Sequence, residues 1–209
     1  MLVSTAKKQS PIRNVFLASL GAKMKEPGTI LKEDHREIRK LLSAFDGMAA
    51  FITQKDSLPD EDLEKAFAVA VEFADKCHHG KEERALFPAI AEASRSIGAE
   101  LARRLTSDHR AFRKLVGTMH EQVSDATVKK ESRAVLAKQI GTYTRLLTVH
   151  MKVEEQKLIP EVMKSLKPAQ RNEVSEQFEK IEEETMGHGA HEKYIEIIDQ
   201  LANLYGRKD

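Results

Sequence analysis

The sequence predicts an all-α protein built on an antiparallel, up-down four-helix bundle with additional C-terminal helices. Composition gives the first reason: aromatic residues make up 5% of the 209 residues, Trp is absent, and Leu, Ala, Lys and Glu dominate, which favours helices over sheets. The second reason is that four long stretches carry apolar residues at helical spacing and are joined by short loops. With 41% hydrophobic residues, the chain can also bury a sizeable core.

Each of the four long helices has its own support in the sequence. Apolar residues between Ile30 and Met48 fall on one face of the first helix. Pro59 and three nearby acids mark the start of the second, where the helix dipole favours carboxylates. "ASRSIGAE" separates the second from the third, and "SDAT" is expected to open the fourth. The predicted bounds are 29–53, 59–94, 98–124 and 127–166.

The chain is expected to divide into three parts. "KEPGT" contains Pro27 and Gly28, which should break any helix, so residues 1–28 are predicted to form a loosely packed N-terminal tail. Residues 29–166 form the bundle. Residues 167–209 form a C-terminal helical extension, in which "MGHGAHEKY" separates two helices.

Charge and hydropathy exclude several classes of partner. The formal net charge is +1 with both signs interspersed, so no basic surface is available for nucleic acid or anionic lipid. No apolar run reaches the length of a membrane span, and the N-terminus lacks the pattern of a secretory signal. The single cysteine, Cys77, fits a reducing compartment. We therefore expect a cytoplasmic protein with neither nucleic-acid nor membrane partners.

The chain contains an internal repeat. "HHGKEERALFPAI" (78–90) and "HMKVEEQKLIPEV" (150–162) share the pattern His, three residues, Glu, Glu, two residues, Leu, an apolar residue and Pro. Upstream, "DHREIRKL" (34–41) and "DHRAFRKL" (108–115) share a second pattern. The offsets are nearly equal, at 72 residues (78 to 150) and 74 residues (35 to 109). The repeat therefore indicates a duplicated pair of helical hairpins.

Each half places one histidine early on its first helix and a His-x-x-x-Glu late on its second. Because neighbouring helices of the bundle are antiparallel, these positions lie at the same level. Residues four apart share one helix face, so both members of each His-x-x-x-Glu reach the same point. The predicted metal ligands are His35, His78, Glu82, His109, His150 and Glu154.

This ligand set has the chemistry of a metal pair. Two carboxylates and four imidazoles on a core-facing surface are costly to bury unless a cation neutralises them. Imidazole nitrogen mixed with carboxylate oxygen and without thiolate suits iron, with manganese or zinc as the less favoured choices. Two carboxylates able to bridge favour a dinuclear centre over a single ion.

These motifs, with the "EERALFP" and "EEQKLIP" runs, resemble the hemerythrin-like, HHE cation-binding family over residues 29–166. The resemblance implies two iron ions bridged by the two glutamates, with His35 and His78 on one ion and His109 and His150 on the other. Ferritin-like di-iron bundles resemble the chain less, because their motif is Glu-x-x-His and they use more carboxylates.

The sequence departs from invertebrate hemerythrin on the third helix. That family member has two histidines four apart there, whereas Arg113 stands four residues after His109 and Leu105 four before it. The last motif also ends in Glu, where the oxygen carriers have a longer spacing to Asp. Fewer histidines leave coordination positions open for small molecules, which weakens the case for a pure oxygen carrier. His79, directly after His78, is the first candidate to replace the missing fifth histidine. A one-residue step along a helix turns a side chain by about 100°, so we prefer to interpret His79 as a residue beside the ligands or as an exposed one.

The carboxylates next to the ligands have two interpretations. Glu83 and Glu155 recur in the repeat, and we interpret them as surface residues in ion pairs rather than as supports for the ligands. Asp34 and Asp108 either accept a ring N–H from a ligand on an adjacent helix or pair with nearby Arg and Lys residues.

Other residues of potential interest are given structural interpretations. Cys77 is expected to be a small buried residue and Tyr143 a core residue, while His120 is expected at the surface. His188 and His191, in "GHGAHEKY", resemble part of a ligand cluster, but the glycines around them indicate a helix break.

Two functions follow from these observations. The first is a non-haem di-iron protein that binds, reacts with or senses a small oxidant such as O2, peroxide or nitric oxide. The second is an iron-binding module for storage, sensing or delivery to damaged iron centres. The iron-cluster repair proteins of the family carry an N-terminal cysteine-rich segment, and residues 1–28 contain no cysteine, so we rank this function second. The sequence identifies neither an electron donor nor a protein partner, and it does not decide whether the protein is an enzyme.

Overall fold

The computed structural model describes residues 24–187 and 189–206, and these residues form helices and short connections without any strand. The all-α prediction is confirmed. We number the helices α1 (Pro27–Lys55), α2 (60–93), α3 (Ile97–Val128), α4 (130–165), α5 (Pro168–Met186) and α6 (Ala190–Tyr205). Across the described residues, no helix is both long and apolar enough to cross a bilayer.

Two helix ends differ from the sequence prediction. Pro27 does not break α1 but begins it, because the first helical position needs no backbone N–H and proline already has a helical φ. "SDAT" does not open α4 but closes α3, which runs to Val128. Lys129, with φ −110° and ψ 126°, is the single extended residue between α3 and α4.

Helices α1 to α4 form the bundle, in which α4 packs against both α1 and α3. The C-terminal helices lie outside it: α5 packs on α2 and α1, while α6 packs on α1 and α2. The approach of α6 to α1 is close at Gly47, where a Cβ atom would lie 1.8 Å from the backbone oxygen of Tyr205. A glycine at this position therefore lets the last helix dock.

The core consists of two apolar clusters separated along the bundle. One cluster contains Phe45, Phe73 and Phe112 and is joined by Ile198 of α6. The other is built mainly from the opposite ends of the four bundle helices, including Leu86, and is joined by α5. The predicted ligand residues occupy the level between these clusters. Water-excluding side chains thus cover the candidate site from both directions along the bundle axis.

The helices wind as π-helix at the site. In α2 the π-helical segments are Ala70–His79 and Glu82–Leu86, and in α4 the segment is Glu154–Leu158. The second and third of these occupy matching positions of the repeat, and each is followed after one residue by a proline. A proline lacks the N–H for an α-helical bond and crowds the carbonyl four residues before it, which favours a widened turn. The repeated "P" of the motif therefore has a local structural role.

Candidate metal centre

The structure brings the six predicted ligand residues together in two overlapping clusters. One holds His35 and His78 and the other His109 and His150, and both contain Glu82 and Glu154; within each cluster the ligating atoms lie within 4.8 Å of one another. All six side chains are buried. The duplicated halves of the chain thus contribute equally to one centre that contains two shared carboxylates.

The atoms at the centre are arranged as a cation would require. The Nε2 atoms of His109 and His150 are 3.0 Å apart, and His150 Nε2 lies 2.7 Å from Glu154 Oε1. On the other side, His35 Nε2 lies 3.1 Å from Glu154 Oε2. Despite these short distances, neither carboxylate oxygen of Glu82 or Glu154 has a well-directed hydrogen-bond partner within the described part of the chain. Buried polar atoms normally find such partners, so the donor set fits a metal.

The two histidine pairs have nearly the same geometry. The rings of His35 and His78 have centroids 4.8 Å apart and planes at 69°. The rings of His109 and His150 have centroids 4.8 Å apart and planes at 68°. The sequence repeat is therefore reproduced in the geometry of the two histidine pairs.

Glu83 and Glu155 are partly exposed and pair with Arg113 and Arg39, as predicted, but they also hold predicted ligand rings, which was not predicted. The Nδ1–H of His109 donates to Glu83 Oε1 over 2.8 Å, and the Nδ1–H of His35 donates to Glu155 Oε1 over 2.9 Å. A carboxylate on Nδ1 fixes the tautomer and leaves the Nε2 lone pair for a metal. This role could have been inferred from the repeat, because the second glutamate of the "EE" pair, like the first, is present in both motifs.

Asp34 and Asp108 do the same for the other two ligands. Asp34 Oδ2 lies 3.3 Å from His78 Nδ1, and Asp108 Oδ2 lies 3.4 Å from His150 Nδ1. Of the two interpretations, the structure therefore favours acceptance of a ring N–H from an adjacent helix. All four Nδ1 atoms of the predicted ligand histidines thus face a carboxylate.

The C-terminal helices make the two halves unequal. Lys81, with 1% of its side chain exposed, lies 3.2 Å from Asp34 and 2.6 Å from Glu182 of α5. Burial alone would raise the pKa of Asp34, but His78 and Lys81 together lower it to about 2. The side chain of Asp108, which occupies the matching place in the other half, is 39% exposed. The contact between Asp34 and His78 is therefore enclosed by α5, whereas the matching contact between Asp108 and His150 faces solvent.

The histidines compete with the metal by binding protons. Burial opposes a charge on His109 and His150, but the surrounding carboxylates raise their pKa values to about 11 and about 9. The pKa of His35 is raised as well, against the effect of burial, by Glu154 and its neighbours. The pKa of Glu154 is well below its usual range because these histidines outweigh its burial. A metal that binds here must therefore displace protons.

His79 lies beside the predicted ligands, as one of its two interpretations has it, and the alternative of an exposed residue is wrong. Its ring is buried and stacks on His109 with centroids 3.9 Å apart and planes at 13°. One of its ring nitrogens belongs to a third cluster of possible ligand atoms, with His109 and His150. Burial, followed by the nearby His109, lowers the pKa of His79 well below its usual value, so the ring is neutral at physiological pH. A π-helical turn takes more residues than an α-helical turn and so rotates successive side chains by less, which allows His78 and His79 both to point inwards.

The other residues mostly follow their structural interpretations. Cys77 is buried, and this burial raises the pKa of its thiol to about 12, which makes it unreactive. Tyr143 is buried against Phe45 in the core. His120 is at the surface and pairs with Glu64.

Within the described residues, the break before α6 contributes no candidate metal ligand. His191 stacks on Phe73 with ring centroids 5.3 Å apart and lies 4.0 Å from Asp34. It belongs to none of the clusters of possible ligand atoms found among residues 24–187 and 189–206. His188 lies outside the described residues.

Comparison with known families agrees with this geometry. The family described as the hemerythrin HHE cation binding domain matches residues 26–162, most of the chain. The chain therefore belongs to the hemerythrin HHE cation-binding family, and its resemblance to that family is confirmed. Its class of function is metal-cation binding, which the His/Glu clusters support. No curated protein and no solved structure gives a significant match to the chain.

Proposed function

We propose that this protein holds two iron ions at a non-haem centre and uses them to bind, and to react with or sense, a small oxidant such as O2, peroxide or nitric oxide. The observation that carries the proposal is the pair of buried clusters that share Glu82 and Glu154. Residues that belong to both clusters can contact two ions at once. The ligands would be His35, His78, Glu82, His109, His150 and Glu154.

Iron is the metal that the donor chemistry favours. Each cluster offers two imidazole nitrogens and two carboxylates. The nearest thiol is that of Cys77, whose raised pKa keeps it protonated, so soft sulfur ligands take no part. Mixed nitrogen and oxygen donors suit iron, with manganese and zinc less favoured. When bound, an iron pair supplies open coordination positions and electrons for an oxidant.

The protein's own residues would orient the ligands and keep out water. The carboxylates of Glu83 and Glu155 hold the rings of His109 and His35 by their Nδ1–H groups, so that each Nε2 stays directed at the centre. The burial of the clusters between two apolar cores removes competing water. This combination would shield a bound metal pair from bulk solvent and would fix the ligand positions.

A cavity between α2 and α3 would admit a small uncharged molecule as far as His79, beside the predicted ligands. This cavity of about 500 Å³ extends from the surface near His120 to His79, and its walls include Phe112, Val116 and Tyr143. Apolar walls suit molecules such as O2 and nitric oxide better than ions. The cavity therefore supports a small oxidant as the ligand.

Oxidant titration tests this proposal. The protein would be loaded anaerobically with ferrous iron and mixed separately with O2, hydrogen peroxide and nitric oxide, with zinc-loaded protein as the control. We expect new visible absorption bands with at least one oxidant in the iron protein and none in the zinc protein. An iron protein that stays spectrally and redox silent with all three would refute the proposal.

Iron storage, sensing or delivery is the second function, and the burial of the ligands argues against it as the main role. Delivery requires ready loss of iron, whereas every ligand lies in the interior. Fast transfer of iron to an apo acceptor, together with slow reaction with oxidants, would reverse this order. We also propose a cytoplasmic location, where a cellular reductant would serve as the electron donor and the Cys77 thiol would stay reduced.

A further inference from the structure

His79 makes the two halves of the centre chemically different. The repeat has His78 and His150 at matching positions, but His79 is matched by Met151. His79 is therefore an addition to the duplicated pattern. Its ring lies on the side of the His109 and His150 cluster, with one ring nitrogen of each of the three histidines within 4.8 Å of the others.

The surroundings of His79 resemble those of the predicted ligand histidines. Its Nδ1–H donates to Asp75 Oδ1 over 3.2 Å, four residues earlier on α2. Its Nε2 is buried and has no hydrogen-bond partner among the residues that the structure describes. A histidine held by a carboxylate at Nδ1, with an unused and inward-facing Nε2, has the orientation of a metal ligand.

Arg113 holds this arrangement from outside. Its guanidinium binds both oxygens of Asp75, with Nε 2.8 Å from Oδ1 and 3.0 Å from Oδ2, and it also donates to Glu83 Oε1 over 2.9 Å. Asp75 orients His79 and Glu83 orients His109. One arginine therefore fixes the carboxylates behind two neighbouring histidines. It stands four residues after His109, which is one of the two positions that a second histidine of α3 could occupy.

We propose that His79 is a third nitrogen ligand of the metal ion held by His109 and His150. The inference rests on the proposed metal pair and adds to it a residue and an asymmetry. One ion then has three imidazoles and the other, held by His35 and His78, has two. The missing histidine of α3 is replaced by a residue that enters the site from α2.

The cavity borders the ring of His79. His79 lines the 500 Å³ cavity, so its ring adjoins open space as well as the parallel ring of His109. The competing interpretation is a neutral histidine that only fills space against His109 and Phe112. The two interpretations differ in whether the His79 imidazole coordinates the metal directly.

Counting metal-bound imidazoles by paramagnetic NMR tests the proposal. Cobalt(II) would be loaded anaerobically into wild-type protein, the His79→Gln variant and the His120→Gln variant, in which an exposed histidine serves as the matched control. Each bound imidazole with a protonated Nδ1 gives one strongly shifted signal that disappears in D2O. We expect five such signals in the wild type and in the control, and four in His79→Gln.

The outcomes separate this inference from the function on which it rests. Four signals in the wild type, unchanged by His79→Gln, would overturn the role of His79 and leave the metal pair intact. No shifted signals from any protein would overturn the metal centre and, with it, this inference. If His79→Gln does not fold, the wild-type count of five or four still decides. Mössbauer spectra of the diferrous protein give a second readout, with two distinct doublets expected in the wild type and a smaller difference between them in His79→Gln.

Discussion

Removal of the carboxylates behind the ligand histidines should weaken metal binding by a predictable amount. Glu83 and Glu155 each accept an Nδ1–H from a histidine of a different cluster, over 2.8 and 2.9 Å. Loss of such a partner typically costs a factor of about 10 to 100 in metal affinity, or about 1.4 to 2.7 kcal/mol. Gln keeps an oxygen that can accept the N–H but removes the charge, so Glu83→Gln and Glu155→Gln should fall near the tenfold end. The Ala variants should approach the hundredfold end.

The double variant provides a stronger form of this prediction. Because the two glutamates act on His109 and His35, which belong to different clusters, the free-energy losses should add approximately when summed over both ions. We therefore expect a combined loss of about 100-fold for the double Gln variant across the two binding steps. The assay is anaerobic competition for ferrous iron against a chelator of known affinity.

A matched control separates this effect from the loss of any histidine–glutamate contact. Glu64 accepts from His120 over 2.8 Å, but both side chains are about half exposed and lie away from the centre. Glu64→Gln should bind iron like the wild type, since surface ion pairs contribute little. If Glu83→Gln and Glu155→Gln also bind iron within twofold of the wild type, the role assigned to these carboxylates is refuted.

Three further predictions concern the metal-free protein and the docking of the last helix. The folded-state pKa values of about 11 for His109 and about 9 for His150 lie above the unfolded value of 6.5, so their stabilising contribution is complete below pH 6.5 and is lost as the pH rises through them. The free energy of unfolding in urea should fall between pH 7 and 9 by up to about 1.4 kcal/mol per pH unit for each histidine; a flat profile would contradict this. Lys81→Ala should lower the same free energy by about 3 kcal/mol, because it leaves a buried aspartate without its cation, and a loss below 1 kcal/mol, on the order of a surface pair, would argue against that pairing. Gly47→Ala should displace α6 and lower the melting temperature, since its Cβ would meet the backbone of α6. The control Gly141→Ala has open space around it within the described structure and should raise the melting temperature, as helix propensity predicts; equal effects of the two changes would be inconsistent with the docking.

The parts of the fold and of the centre that the internal repeat specifies could be predicted from the sequence. The duplicated histidines and glutamates identified six residues that the structure does bring together. Helix ends were less accurate, because Pro27 is compatible both with a break and with a helix start, and the choice depends on packing beyond the local sequence. Similarly, the polar "SDAT" continues α3 because tertiary contacts override its tendency to cap.

The supporting residues could not be assigned from regular helix geometry. Glu83 and His79 each stand one residue from a predicted ligand, which on a regular α-helix directs them away from it. The π-helical turns of α2 change that relation, and the sequence alone gave no reason to expect the longer of them. The contact of Lys81 with Glu182 on α5 was equally hidden, since it joins helices that share no repeat or spacing pattern.

The most direct test of the central claim is the metal content per chain. Protein expressed with iron and purified anaerobically would be compared with the Glu82→Ala, Glu154→Ala double variant, which removes both shared carboxylates. We predict about two irons per chain in the wild type, as in other di-iron bundles, and their loss in the variant. No iron in the wild type, or the same metal content in both proteins, would contradict the assignment of the repeated histidines and glutamates as a dinuclear site.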